Sequence, residues 1–317
     1  MDTATENKPA NTAVQMKEFS TEMLRMNMGP QHPSTHGVLR VQLELDGERI
    51  LSAKPMVGYL HRGIEKLAET KRYNQVIPML DRMDYLASMA FNLGFVLAVE
   101  KLFDVTLPPR GQYLRTILCE IARLASHCIW LGAHAMDIGA VTVFLYTFRE
   151  RELAYDIFEY ICGARMTVSY MRVGGLASDV NDHFVTMVKA YVQTMKKRIA
   201  EYDTLLSKNP IWMDRTIGVG SISAEQWRAM NVTGACARGS GIDWDLRRDQ
   251  PYAAYPDFEF DVPVSRSCDT YGRYQVRLEE MRQSVRIVEQ AIKRLPDGPV
   301  NVDNYKIILP PKALVKT

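Results

Sequence analysis

The sequence predicts a mainly α protein, a long-helix bundle with a small N-terminal antiparallel β-sheet and an irregular α+β C-terminal part. Three observations predict it. Between about Ile64 and Ser207 apolar residues recur at helical spacing over several long stretches with short connections. Between Met23 and Met56 they alternate instead, around a turn at Asp46-Gly47. From Asn209 to Val264 the pattern is mixed, and one last amphipathic stretch follows it.

Composition bounds the function. The chain has 317 residues, 47% hydrophobic and 24% charged, enough for a sizeable core. A net charge of +2 gives nucleic acid little support. The five cysteines are odd in number and contain no C-x-x-C, which argues against a disulfide framework and against a self-contained zinc or iron–sulfur site. A reducing compartment fits them. Met1 to Lys17 is polar and has no signal-peptide or transit-peptide pattern, so residues 1–20 are expected to be a flexible tail.

Residues 21–58 read as the small sheet. Strands are expected at Met23 to Met28 and at Leu39 to Leu45, where Val41, Leu43 and Leu45 share a face, and Asp46-Gly47 is a type I′ hairpin signal leading into a strand to about Met56. Between the first two strands, Gly29-Pro30-Gln31-His32-Pro33-Ser34-Thr35-His36-Gly37 cannot be regular structure. It is a shaped loop carrying two of the six histidines.

Residues 59–208 read as the helical bundle. A helix is expected at Ile64 to Glu69, and another from Pro78 to Phe103, with Leu80, Met83, Leu86, Ala87 and Ala90 at helical spacing and Pro78 in its first turn. Pro108-Pro109-Arg110-Gly111 stops the chain before a helix from Gln112 to Ala135. The next runs from Val141 to Cys162 and ends at Gly163. Gly174-Gly175 marks a loop, and Asp179 is the expected cap of a helix from Val180 to Ser207. Ile129 to Phe148 is the most membrane-like stretch, but it contains Asp137, whose insertion costs about 2.5–3.5 kcal/mol, so a buried helix pair broken near Gly139 is expected.

Residues 209–317 read as mixed. Ser223-Ala224-Glu225-Gln226 is a capping box, Asp257 to Val264 alternates like an edge strand, and Thr270 to Leu295 is a final helix. Gly234 to Gly241 is read as a glycine-rich turn, because no Gly-Lys-Ser or Gly-Lys-Thr follows as a phosphate loop requires. Hydrolase signatures are absent too: there is no G-x-S-x-G and no H-E-x-x-H.

Four motifs stand in order: Gly29 to Gly37, then Leu60-His61-Arg62-Gly63-Ile64-Glu65-Lys66-Leu67-Ala68-Glu69-Thr70-Lys71, then Leu80-Asp81-Arg82-Met83-Asp84-Tyr85, then His134-Ala135-Met136-Asp137-Ile138-Gly139-Ala140. Together they resemble the 49-kDa-type quinone-site subunits of proton-pumping NADH:quinone oxidoreductase (respiratory complex I), a family related to nickel–iron hydrogenase large subunits. The resemblance runs from about Glu22 to the end of the chain. It implies that His36 and Tyr85 bind the quinone head group and act in its reduction, with Asp137 the acid paired with His36. It places Arg62, and His61 beside it, near the partner's cluster.

The chemistry is sound on its own terms. A reduced quinone takes up two protons, and an imidazole and a phenol can each donate one. An acid beside the imidazole favours its protonated form. The resemblance further implies a [4Fe–4S] cluster in an iron–sulfur partner subunit, contacts with other peripheral-arm subunits and with a membrane subunit at the quinone channel, coupling to proton translocation, and a peripheral position on the cytoplasmic side of the bacterial inner membrane. No nucleic acid is implied. Quinone is then substrate, and no cofactor or metal is expected on this chain itself.

Plainer readings stand beside these. Tyr85 on an apolar helix reads as a core tyrosine, Asp137 as a helix terminator, and His61 and Arg62 as partners for Glu65 or another acid. His32, His134 and His183 are read as structural. As a whole the chain could be a non-catalytic helical scaffold, or an energy-converting hydrogenase-type large subunit. The latter needs thiolates where the sequence has Asp84 and Ala87. Family members usually continue beyond the Pro310-Pro311-Lys312 region, so a missing C-terminal end is expected.

Overall fold

Alternation builds the first unit, Met1–Gly63, and helical periodicity the second, Ile64–Thr317. The computed structural model describes residues 23–308, so the expected tail and the Pro310-Pro311-Lys312 region lie outside the described residues.

In the first unit β1 (Leu24–Met28), β2 (Arg40–Asp46) and β3 (Arg49–Met56) form an antiparallel sheet in that order. The register sets Met26 opposite Leu43 and Leu43 opposite Ala53, while Arg25 faces Glu44 and Gln42 faces Lys54, so apolar and polar residues take opposite faces. The hairpin is where the sequence puts it, but its turn differs. Gly47-Glu48 closes Asp46 onto Arg49, and of the two only Gly47 has a positive φ, +60°. That is the φ pattern of a type II′ turn. A type I′ turn would drive Glu48 into the left-handed region, at a cost of roughly 1–2 kcal/mol for a side chain with a β-carbon.

The second unit comprises, among the described residues, α1 (Ile64–Ala68), α2 (Tyr73–Leu80), α3 (Ser88–Phe103), α4 (Pro109–Ile138), α5 (Val141–Cys162), a hairpin of β4 (Met171–Arg172) and β5 (Gly175–Leu176), α6 (Asp182–Leu206), α7 (Pro210–Thr216), α8 (Ala224–Ala229), α9 (Gly234–Arg238), α10 (Leu246–Asp249) and α11 (Thr270–Lys293). Helix α4 is the centre. It packs on α3, α5 and α11, with Leu114, Ile117, Leu118, Ile121, Leu124 and Cys128 all buried. Pro109 opens it, where a missing N–H costs nothing, and Gly139 ends it at φ +107°. The turn into α5 brings the two helices into close contact at Gly132, where a β-carbon would meet Thr147 Oγ1 at 2.5 Å. Among the described residues no helix is long and apolar enough to cross a membrane.

Three expected elements are corrected. The helix expected from Pro78 to Phe103 is two helices, with Pro78 inside α2 and an irregular turn from Asp81 to Ala87 before α3. Pro78 cannot donate to the carbonyl of Asn74, and the carboxylate of Asp81 is drawn inward to side-chain and backbone donors. Asn181, not Asp179, caps α6 by accepting from Phe184 N–H at 3.2 Å, while Asp179 binds Arg110 at 2.9 Å. The expected edge strand at Asp257 to Val264 has no strand partner among the described residues. Its backbone meets α11 instead: Glu259 N–H donates to Gln290 Oε1 (3.0 Å), Glu259 C=O accepts from Gln290 Nε2 (2.7 Å), and Asp261 N–H donates to Gln283 Oε1 (3.0 Å). The capping box at Ser223 is formed. Of the glycine-rich stretch, Gly234 to Arg238 is helical and the turn follows it.

Candidate functional site

The histidine loop of the first unit is held by its own backbone. Pro33–Thr35 forms a 3₁₀ turn, and the buried Thr35 hydroxyl bonds to the carbonyls of Pro30 (3.1 Å) and His32 (3.0 Å). Gly29 lies at φ +82°, where a β-carbon would collide with the Leu39 carbonyl oxygen. Nδ1 of His32 accepts from Ser34 N–H at 3.2 Å, so His32 serves its own turn. His36 ends the turn in the left-handed region at φ +52°, with its side chain exposed. In the same unit His61 and Arg62 lie on an exposed stretch, with His61 N–H donating to Gly58 C=O at 3.0 Å. Neither side chain forms an ion pair among the described residues.

In the second unit Tyr85 is on no helix, contrary to the core-tyrosine reading. It sits in the Asp81–Ala87 turn with 39% of its surface exposed, because the tertiary bonds of Asp81 break the helical period there. Asp81 is fully buried and accepts from Asn92 Nδ2 (2.6 Å), from Ser169 N–H (2.9 Å) and from the Ser169 hydroxyl. Burial pushes its carboxyl group above the usual range, against the pull of those hydrogen bonds. Asp84 Oδ1 accepts from Ala87 N–H at 3.3 Å, and the Ser88 hydroxyl donates to Met166 C=O at 2.6 Å.

Asp137 is exposed in the last turn of α4. Its carboxylate accepts no hydrogen bond among the described residues, and none joins it to Tyr85. Three residues earlier, His134 stacks on Trp130 and meets the edge of Trp212, at centroid distances of 5.8 and 5.1 Å. Burial and then Arg277 lower its pKa. His183 packs against the Tyr160 ring.

A buried ionic network was not singled out from the sequence. Glu120 on α4 accepts from Arg123, Arg247, Tyr255 and Ser284, and Glu280 on α11 accepts from Arg238 and from His127 at 2.9 Å. Burial alone would raise Glu120, but Arg123 and Arg247 outweigh it and hold the carboxyl at about 2. Burial lowers His127 despite its bond to Glu280. The available signal was the spacing: Glu120, Arg123 and His127 form one stripe on a helix otherwise apolar on most sides. Among the described residues no three His, Cys, Asp or Glu side chains cluster as metal ligands, and burial pushes the Cys119 thiol up to about 12.

Comparison with known proteins places these features in a family. The family described as "Respiratory-chain NADH dehydrogenase, 49 Kd subunit" matches residues 137–317. The D subunit of NADH-quinone oxidoreductase from Geotalea uraniireducens is 55% identical over 293 residues, 92% of this chain and 75% of the relative. The second D subunit of Chloroflexus aurantiacus is 51% identical over 295 residues, 92% and 72% of the two chains, and that of Solibacter usitatus is 50% identical over 292 residues, 92% and 79%. With the family matching more than half of this chain and this chain covering nearly three quarters or more of these relatives, the chain belongs to the 49-kDa (D-type) subunit family of respiratory complex I, the NADH-quinone oxidoreductases.

Proposed function

We propose that this chain, together with an iron–sulfur partner subunit, forms the quinone-binding and quinone-reducing site of an NADH:quinone oxidoreductase on the cytoplasmic side of the membrane. Electrons reach the quinone from a [4Fe–4S] cluster in the partner, with Arg62 and His61 near that cluster. His36 and Tyr85 hold the quinone oxygens and donate protons. Asp137 pairs with His36 and carries the charge change of reduction toward the membrane subunit at the quinone channel, where it is coupled to proton translocation. The observation that carries the reading is Tyr85 itself: a family-motif phenol that stands half-exposed in a turn, where a packing role would have buried it. His36 supports it, an exposed imidazole on a loop whose shape Thr35 and Gly29 fix.

Tyr85→Phe in the purified complex tests it, with quinone reduction and reduction of a hydrophilic acceptor upstream assayed side by side. Quinone reduction is expected to fall roughly 10²-fold, the low end of what a positioned proton donor contributes, with the upstream rate unchanged. Wild-type rates for both acceptors would overturn the assignment.

A further inference from the structure

We propose that Asp81 is a positioning residue for quinone reduction, fixing the turn that carries Tyr85; the proposal rests on the placing of Tyr85 at the quinone. The turn from Asp81 to Ala87 is clamped at both ends to one segment. At its start Asp81 takes the backbone N–H and the hydroxyl of Ser169, and just past its end Ser88 donates to Met166 C=O at 2.6 Å. Tyr85 lies between the two clamps.

The Asp81 clamp is the costlier one to build. The carboxylate is fully buried, and no Lys, Arg or His forms an ion pair with it among the described residues. Arg82, its nearest cation in sequence, is exposed and donates to Pro78 C=O at 2.5 Å. A buried carboxylate without a cation survives only on hydrogen bonds, and Asp81 has three. Its neighbours are bent to supply them. Asn92 turns its amide N–H to Asp81 and leaves its own Oδ1 buried with no donor among the described residues, and Ser169 holds a left-handed φ of +40°. Strain of that kind persists where surrounding bonds over-determine it, and what these bonds determine is the path of the Tyr85 turn. Hydrogen-bond catalysis is steep in position, since a misplacement of about 1 Å can cost about 10²-fold.

The test uses Asp81→Asn and Ser169→Ala in the assembled complex, each alone and combined with Tyr85→Phe. Each single variant is expected to lower kcat for quinone by roughly 10-fold to 100-fold, with upstream acceptor reduction unchanged and with faster hydrogen exchange at the amides of residues 82–87. In the Tyr85→Phe background neither is expected to lower it further, because the hydroxyl they position is gone. Multiplicative losses in the double variants would show that Asp81 does not act through Tyr85 and overturn the proposal. So would full quinone turnover in both single variants beside an impaired Tyr85→Phe, and that result would leave the quinone assignment standing. Full turnover in Tyr85→Phe itself would overturn both. Ser169→Ala deletes one hydroxyl and carries the same test should Asp81→Asn fail to assemble.

Discussion

The ionic core of the second unit and the exposed residues of the four motifs treat charge in opposite ways. Around α4 and α11, Glu120, Asp245 and Glu280 meet Arg123, Arg238 and Arg247, and every carboxylate oxygen of the three acids has a hydrogen-bond or ion-pair partner. His36, His61, Arg62, Tyr85 and Asp137 are exposed, and among the described residues their side chains bond to nothing polar. The first set is used up in holding helices together. The second is open to groups from outside the chain, and on the function proposed above the difference would separate residues whose loss harms folding from residues whose loss harms quinone chemistry.

Glu280→Ala is the severest test of that division. It takes from Arg238 its nearest carboxylate and from His127 its acceptor, and breaking a buried pair in this way costs about 3–5 kcal/mol, read as a lowered unfolding midpoint. A change within the noise would mean that the network is not structural. The pH dependence of stability sharpens the comparison at a smaller scale. The pKa of His127 is lowered in the fold, so below the ordinary value of 6.5 the unfolded chain takes up a proton that the folded chain refuses. Stability is therefore expected to hold above pH 6.5 and to decline as pH falls from there toward the lowered folded value. Glu120 and Glu280, both lowered from 4.5, add their own loss only below that. His127→Gln should flatten the upper part of the decline and leave the lower part, which a pH series of unfolding curves would show. The smallest expected effect on stability is that of Asp137→Asn, within about 0.5 kcal/mol of wild type as for other exposed sites, while quinone turnover falls. A large drop in its unfolding midpoint would move Asp137 into the structural set.

Much of the fold was legible from local rules. The bounds read for α5, Val141 to Cys162, are those observed, and the Ser223 capping box and the Asp46-Gly47 hairpin rest on chemistry within a few residues. The misses share one cause, a partner distant in sequence. Leu80, Met83 and Leu86 keep a helical period through the Tyr85 turn, but the bond from Asp81 to Ser169, 88 residues away, breaks the helix there. Likewise Phe258, Phe260 and Val262 alternate as a strand does, and nothing nearby says that the neighbour is a helix. For the candidate site, motif resemblance supplied the residue names, but exposure came from the fold alone. The stripe of Glu120, Arg123 and His127 looks in sequence like a solvated face, and it becomes a core only through partners distant in sequence, Arg247 of α10, Tyr255, and Ser284 and Glu280 of α11.

The pairing of Gln290 with Glu259 has a consequence for which backbone groups the alternating segment leaves open. A glutamine side chain carries the same donor and acceptor as a peptide unit, and here it both gives to and takes from one backbone residue, as the opposite strand of an antiparallel ladder would. Alternating apolar segments with open ladders are templates for sticking to their own kind. Here a helix side chain answers one rung of such a ladder, so one backbone donor and one backbone acceptor of the segment are taken up from within the chain by an amide that no strand-pairing rule would have counted.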